Sequence, residues 1–292
     1  LSKLGIGVLL RDNKEAMAKN LEHHAKILKN SDIPFYIFDN SVKDDNTEFV
    51  KRYPQFKYYK HSKDLNFDDS YQFACENVDA EYVWIIGNKM TIDTGSLPCI
   101  MDFLNQGTYS AVLVNSMHRL SLFGKPFIEE DRNKFLKNFA WHSTLVGSTI
   151  LHRDTIKAYD KNKYRGYEYP HLAALLDGIA KNNNPMVIIP YSLTTFQTQM
   201  VPVWLPKHVE IWTKMLYEII QLLPEDIYGQ DEKVAFCSNN GYNGALISDA
   251  QFRYLNKSGF FTEEILDKYL PWIKKVCSIP EARLRHIAKG GN

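Results

Sequence analysis

Cysteine is scarce and scattered in this 292-residue chain: Cys75, Cys99, Cys237 and Cys277 make no CxxC pair and no metal-ligand spacing. They read as incidental thiols in a reducing compartment. Long apolar runs are missing as well. No segment approaches the ~20 continuous apolar residues that a membrane-spanning helix needs, and no basic-then-apolar signal pattern opens the chain. A cytoplasmic location is the expectation. Charge of one sign is also absent, with 35 basic against 34 acidic residues and a net charge of +1. That removes any bulk electrostatic case for nucleic acid or a polyanionic partner, so binding must be local. There is no internal repeat and no low-complexity tract. Gly5 and Gly7 of "GIG" lack the third glycine and the spacing of a dinucleotide fingerprint.

What is present is an ordinary globular composition, 45% hydrophobic and 24% charged, in a patterned order. "GIGVLL" is a strand-like run followed by a segment in which Met17, Leu21, Ala25 and Leu28 recur at helical spacing. "PFYIFD" and "FKYYKH" are strand-like, with a short helix between them. "DDSYQFACENV" is helical, with Asp68 and Asp69 near its start, and "EYVWIIG" is the most hydrophobic strand of this half. Alternation of this kind predicts a mainly parallel sheet with crossover helices, an α/β class. Such sheets bind ligands beyond the carboxyl ends of their strands. Four polar loops follow the apolar runs: Arg11 to Asn13, Asp39 to Ser41, Asp64 to Asp69, and Asn88 to Asp93. They are expected to converge on one side.

Further along, "YSAVLVNS" and "PMVIIP" read as strands, "STLVGSTILHRDTI" as a strand and turn, and "YPHLAALLDGIAKN" as a helix. After Pro206 an apolar helical stripe runs through Trp212, Met215, Leu216, Ile219 and Leu223. Helices also fit "TEEILDKYLPWIKKV", with Thr262 as N-cap, and "PEARLRHIA". The expected organisation is an α/β domain over residues 1–205 and a helical region over 206–292.

The ordered motifs "GVLLRDN", "IFDNSVKDD", "KDLNFDDS" and "YVWIIGNKMTID" resemble those of the inverting family-2-type glycosyltransferases with a GT-A nucleotide-sugar fold, as found in bacterial surface-polysaccharide and glycoprotein-glycan synthesis. The similarity is good over about residues 4–105 and loose over 140–200. It implies a UDP-sugar donor, a hydroxyl of a glycan or glycosylated carrier as acceptor, and transfer with inversion. It places Asp39 at the nucleoside with Asn40 beside it, and Arg11, Asp64 and Asp68 on nucleotide-facing loops; Asp68 and its neighbours read equally well as helix caps. Where the family carries two or three acidic residues for a divalent cation, this chain has Asn88 and Lys89. An amide is a poor Mg²⁺ or Mn²⁺ ligand and an ammonium repels the ion. Either Asn88 contacts sugar or phosphate while Lys89 or Arg11 offsets the diphosphate charge, or Asp93 keeps a metal site, or Lys89 simply points to solvent. The family's general base matches Glu168 in "YRGYEYPHL", with His171 as the second candidate.

Other signals are weaker. His142, Ser148 and His152 make no readable hydrolase triad, and a nucleotidyltransferase would want a glycine-rich basic loop after the first strand. Trp141, Tyr167, Tyr169 and Trp204 are core or sugar-stacking aromatics. Lys274, Lys275, Arg283, Arg285 and Lys289 make a solvated face or a peripheral membrane contact. Loss of the acidic cluster leaves a second class of function open, a catalytically silent domain that binds a glycan or a partner transferase. Oligomeric state, donor sugar and linkage are not readable.

Overall fold

The computed structural model describes residues 1–12, 14–43, 45–196, 204–242 and 246–291, without the side chains of 14–16 and 240–242. The chain divides into two compact units. The first holds Leu1–Asp131, His142–Lys161 and the described residues from Pro170 to Phe196; the second holds Arg132–Trp141, Asn162–Tyr169 and the described residues from Trp204 onward.

The strands of the first unit are β1 (Ser2–Leu10), β2 (Phe35–Asp39), β3 (Lys57–Lys60), β4 (Ala80–Gly87), β5 (Met90–Ile92), β6 (Ala111–Val114), β7 (Phe127–Glu129), β8 (Thr149–His152), β9 (Met186–Ile189) and β10 (Thr194–Phe196). Eight of them form one sheet in the order β3-β2-β1-β4-β8-β6-β9-β7, and β10 pairs with β5 in a separate two-stranded ribbon. β1, β2, β3, β4, β6 and β9 run one way, while β8 and β7 run against them. The expected mainly parallel α/β sheet is therefore present, in a GT-A-like arrangement. The antiparallel β8, wedged between β4 and β6, was not legible in direction from its apolar run.

Register explains the site. Leu10 is opposite Asp39, Asp39 is opposite Lys60, and Leu9 is opposite Gly87. Four adjacent strands thus stop at one level, and their polar loops open along one edge of the sheet. Helix Lys14–Ile27 follows β1 and turns Met17 and Leu21 into the core with Val8, Leu10, Ile37 and Ile86.

The two glycines of "GIG" are explained by packing. A Cβ on Gly5 would lie 2.6 Å from Val78 Cγ1 and 2.9 Å from Ala80 Cβ; one on Gly7 would lie 2.8 Å from Ile85 Cδ1 and 2.9 Å from Phe38 Cε2. Neighbouring side chains fill the space that a side chain on β1 would need, so these residues are small for the sheet and not for a dinucleotide.

The second unit is helical: Arg132–Asn138, a wide-turned segment Glu210–Met215 continuing into Leu216–Gln221, then Gln230–Tyr242, Asp249–Lys257, Glu263–Val276 and Glu281–Ala288. Thr262 accepts a hydrogen bond from Ile265 N at 3.3 Å as the expected cap. Lys233, 1% exposed, donates to the Leu223 and Gln221 carbonyls at 2.8 and 3.3 Å, closing the end of the preceding helix. The basic residues of the last helices are largely engaged: Lys274 pairs with Glu281, Arg283 with Asp249, Arg285 with Asp267 and Lys289 with Glu263. No helix among the described residues is long and apolar enough to cross a membrane.

Buried histidines set the acid response of the first unit. Burial pushes the rings of His24 and His142 down to about 3 and that of His171 down to about 4, from 6.5. Between pH 6.5 and about 4 the unfolded chain binds these protons and the folded chain does not, so stability falls as the pH drops through that window. The slope is up to about 1.4 kcal/mol per pH unit for each ring. Urea midpoints measured from about pH 7 to pH 4 should decrease steadily below 6.5; a midpoint flat across that range contradicts this burial. Gly5→Val should independently cost about 1–3 kcal/mol by overpacking, read as a lowered midpoint with an unchanged slope.

Candidate functional site

The loops after β1, β2 and β3 are sewn together by side chains. Asp39 is wholly buried. Its Oδ1 accepts from Ser41 N at 2.8 Å, and its Oδ2 accepts from Tyr58 OH at 2.7 Å, Asn46 Nδ2 at 3.2 Å and Lys60 Nζ at 3.2 Å. Four donors thus meet the carboxylate, one on Oδ1 and three on Oδ2. Burial, and after it the hydrogen bond to Asp39, pushes the Tyr58 hydroxyl above its ordinary value.

Asn40 spans the next gap: its Nδ2 donates to Leu65 O at 2.7 Å and its Oδ1 accepts from Leu65 N at 2.9 Å. Arg11 Nη2 donates to Asp64 Oδ2 at 3.0 Å, with both side chains about half exposed. Asp12, at φ 45°, receives the amides of Val42 and Lys43 on Oδ1 and gives its own to Ser41 Oγ at 2.8 Å. Asn13, the last residue of this loop, lies outside the described residues. Asp68 stands in the first turn of helix Phe67–Asn77, where a negative charge suits the helix dipole. The cap itself is Asn66, whose Oδ1 accepts from Asp69 N at 2.8 Å. Arg11, Asp39, Asn40 and Asp64 therefore come together, with Asp68 on the adjoining helix.

The fourth loop, Gly87 to Asp93, is braced by helix Lys14–Ile27. Asn20, 1% exposed, donates from Nδ2 to both Asn88 O at 3.0 Å and Met90 O at 2.6 Å. His23 Nε2 donates to Ile92 O at 2.7 Å. The Asn20 Oδ1 has no hydrogen-bond partner among the described residues, and the side chain borders a crevice with Val8, Leu10 and Met17 that is too tight for water. An unmet buried acceptor costs about 1–3 kcal/mol, tolerated here where two carbonyls of one turn are gripped by a single amide. On the other side, Gly147 at φ 92° lets its backbone lie against Met90; a Cβ there would lie within 2.9 Å of Met90 Cε. The turn is thus fixed from both sides.

Lys89, at the tip of this turn, is half-buried. It makes no hydrogen bond or ion pair among the described residues, and desolvation lowers its ammonium below the ordinary lysine value. Asp93 Oδ1 accepts from Thr195 Oγ1 at 3.2 Å. Among the described residues no group of three His, Cys, Asp or Glu side chains could hold a metal ion. Asn88, Lys89 and a single hydrogen-bonded Asp93 do not fit the divalent cation that the resemblance implies.

The two base candidates have different surroundings. His171 is 3% exposed, with Nε2 at 3.1 Å from Thr144 O and the rings of Phe67 and Tyr71 packed near it. Neutral and enclosed, it has the character of a core histidine. Glu168, in the second unit, is a non-glycine residue at φ 58° with a side chain one-third exposed, 4.0 Å from Lys207 Nζ. Of the aromatics, Trp141 and Tyr169 are buried, and Trp204 joins a cluster with His208 and Trp212. Ser148 Oγ donates to Leu145 O at 2.8 Å, and His142 Nε2 lies 2.8 Å from Val114 O, so these residues serve the backbone rather than a triad.

One feature at this edge was missed in the sequence. After β6, which ends on the same side as β1 to β4, Met117 and His118 are exposed at φ 58° and 53°. Consecutive left-handed residues that are not glycine cost about 1–3 kcal/mol each and cluster at binding sites. "NSMHR" carries no glycine or Asn-Gly signal that would have marked them.

No family model matches the chain, and no curated protein matches it in sequence. Solved structures do match in fold. Residues 1–349 of TarS from S. aureus align with a TM-score of 0.61 and 10% identity, over 99% of this chain and 90% of that one. The same protein in complex with UDP-GlcNAc gives 0.60 at 12% identity, over 98% and 87%. Its UDP complex gives 0.54 at 12%, over 99% and 90%. The chain has the GT-A-like fold of TarS.

Asn20→Ala should release the turn while leaving the Asp39 network in place. Amide exchange at Asn88–Met90 is expected to speed up by at least about tenfold, with exchange at β2 and β3 little changed. Equal acceleration at both places would mean that Asn20 supports the whole unit and not this turn.

Proposed function

We propose that the chain is a glycosyltransferase that takes the sugar of a UDP-linked donor and transfers it, with inversion, to a hydroxyl of a glycan or glycosylated carrier. The observation that carries this reading is the convergence of Arg11, Asp39, Asn40 and Asp64 with the Asn88–Lys89 turn on one sheet edge, within a fold shared with a protein crystallised with UDP-GlcNAc and UDP.

On this reading the nucleoside lies over Asp39 and Asn40. Asp39 Oδ1, which accepts from Ser41 N alone among the described residues, is the oxygen left for a uracil imide. The diphosphate then lies toward Lys89, with Asn88 contacting sugar or phosphate, Arg11 and Asp64 shaping the adjoining loop, and Asp68 at the next helix start. Inverting transfer is a single displacement. The acceptor oxygen forms its bond to the anomeric carbon as the bond to the diphosphate breaks; the acceptor proton passes to a base and the electron pair leaves with UDP. Glu168 is the preferred base. His171, held neutral in the core, is the weaker candidate, because a ring pushed down to about 4 is a poor proton acceptor. A polysaccharide or glycoprotein-glycan product follows from the resemblance, and a cytoplasmic site of action accords with this reading.

Two measurements test it. UDP should raise the melting temperature while CMP and GDP do not, and slow hydrolysis of a UDP-sugar should accompany it; stabilisation without turnover on any UDP-sugar would favour the silent binding module. Glu168→Gln should lower kcat by about 10²–10⁴-fold with donor affinity retained. A variant keeping most of its rate removes Glu168 from the base role.

A further inference from the structure

We propose that this site binds the donor diphosphate without a divalent cation, the ammonium of Lys89 serving as the phosphate counter-charge on a turn held rigid by Asn20 and His23. The inference rests on the nucleotide-sugar reading above and adds to it the means of charge neutralisation.

Cations on this edge of the sheet differ in how far their charge is already met. Lys60 is paired with Asp39 at 3.2 Å, and Arg11 with Asp64 at 3.0 Å. Lys43 and Lys63 are exposed and solvated. Lys89 alone combines partial burial with no ion pair or hydrogen bond among the described residues. A desolvated ammonium without a partner is unfavourable unless an anion arrives to meet it. An arriving phosphate is therefore stabilised by Lys89 at no cost of breaking an existing ion pair.

The donor set opposes a metal independently. Asn88 offers an amide oxygen, Lys89 a repelling charge and Met90 a buried thioether, and the Asp93 carboxylate already accepts from Thr195. Hard divalent ions take several oxygen ligands, including carboxylates. One carboxylate beside an ammonium is a weak cage.

Rigidity makes up part of what a single charge lacks. A flexible lysine loses rotamer freedom on binding. Here the backbone on both sides of Lys89 is fixed before the ligand arrives, since Asn20 holds the carbonyls of Asn88 and Met90 at 3.0 and 2.6 Å and His23 holds that of Ile92 at 2.7 Å. Only the side chain remains to be ordered.

The test is calorimetric titration of UDP, and ligand-observed magnetic resonance with uridine, on the whole chain in EDTA and in MnCl₂. UDP should bind with equal affinity, within about twofold, in both media. Lys89→Met should weaken UDP by at least about tenfold, a difference of 1.4 kcal/mol, leave uridine binding unchanged and keep the wild-type melting temperature. Lys89→Arg should retain most of the UDP affinity. UDP binding that requires Mn²⁺, or a Lys89→Met protein that binds UDP like the wild type, overturns the proposal while the nucleotide-sugar reading stands. Failure of both UDP and uridine to bind in either medium overturns both together.

Discussion

The buried Asp39 carboxylate is the constraint on which the candidate site depends. A carboxylate with no exposure is costly unless it is hydrogen-bonded, and here a backbone amide, a phenol, a carboxamide and an ammonium meet it. Those donors come from β3, from the turn directly after β2 and from the start of the next helix. The charge thereby ties the ends of two strands and their connection into one body. Asn40, next in sequence, carries the tie onward to Leu65, and Asp12 carries it back to the end of β1. A one-residue slip of β2 would turn Asp39 to the other face and undo all of these contacts at once.

The turn after β4 is held by a separate device, a helix in place of a charge. Asn20 and His23 lie three residues apart on the helix that follows β1, so they share a face and reach successive carbonyls of the turn. The two devices have different sensitivities. The Asp39 network responds to any change in charge, whereas the Asn20 brace is neutral and responds to shape. A change of side chain at Lys89 therefore leaves the Asp39 network in place.

Much of the first unit was readable because its signals are local. Apolar runs ending in polar turns located β1, β2, β4 and the loop residues Arg11, Asp39, Asn40 and Asp64, and helical spacing located Met17 and Leu21. The direction of β8, the pairing of β5 with β10 and the left-handed pair Met117–His118 were not readable, because each is decided by contacts distant in sequence. Asn20 illustrates the limit. A single Asn in an amphipathic helix carries no motif, and its role exists only once the helix lies against the turn 68 residues away. Asp68 illustrates the opposite error of emphasis: acidic residues at a helix start drew attention, yet Asn66 supplies the cap.

Glu168 combines a strained backbone with the base role proposed for it. It precedes helix Pro170–Lys181, and proline disfavours helical backbone in the residue before it, Tyr169. The chain reaches this helix through two left-handed residues, Gly166 at φ 91° and Glu168 at φ 58°. Gly166 adopts that conformation freely, whereas a glutamate pays for it by roughly 1–3 kcal/mol. The base role proposed for Glu168 gives a reason to carry a glutamate where a glycine or asparagine would be less strained, and Lys207 Nζ lies 4.0 Å from its partly exposed carboxylate.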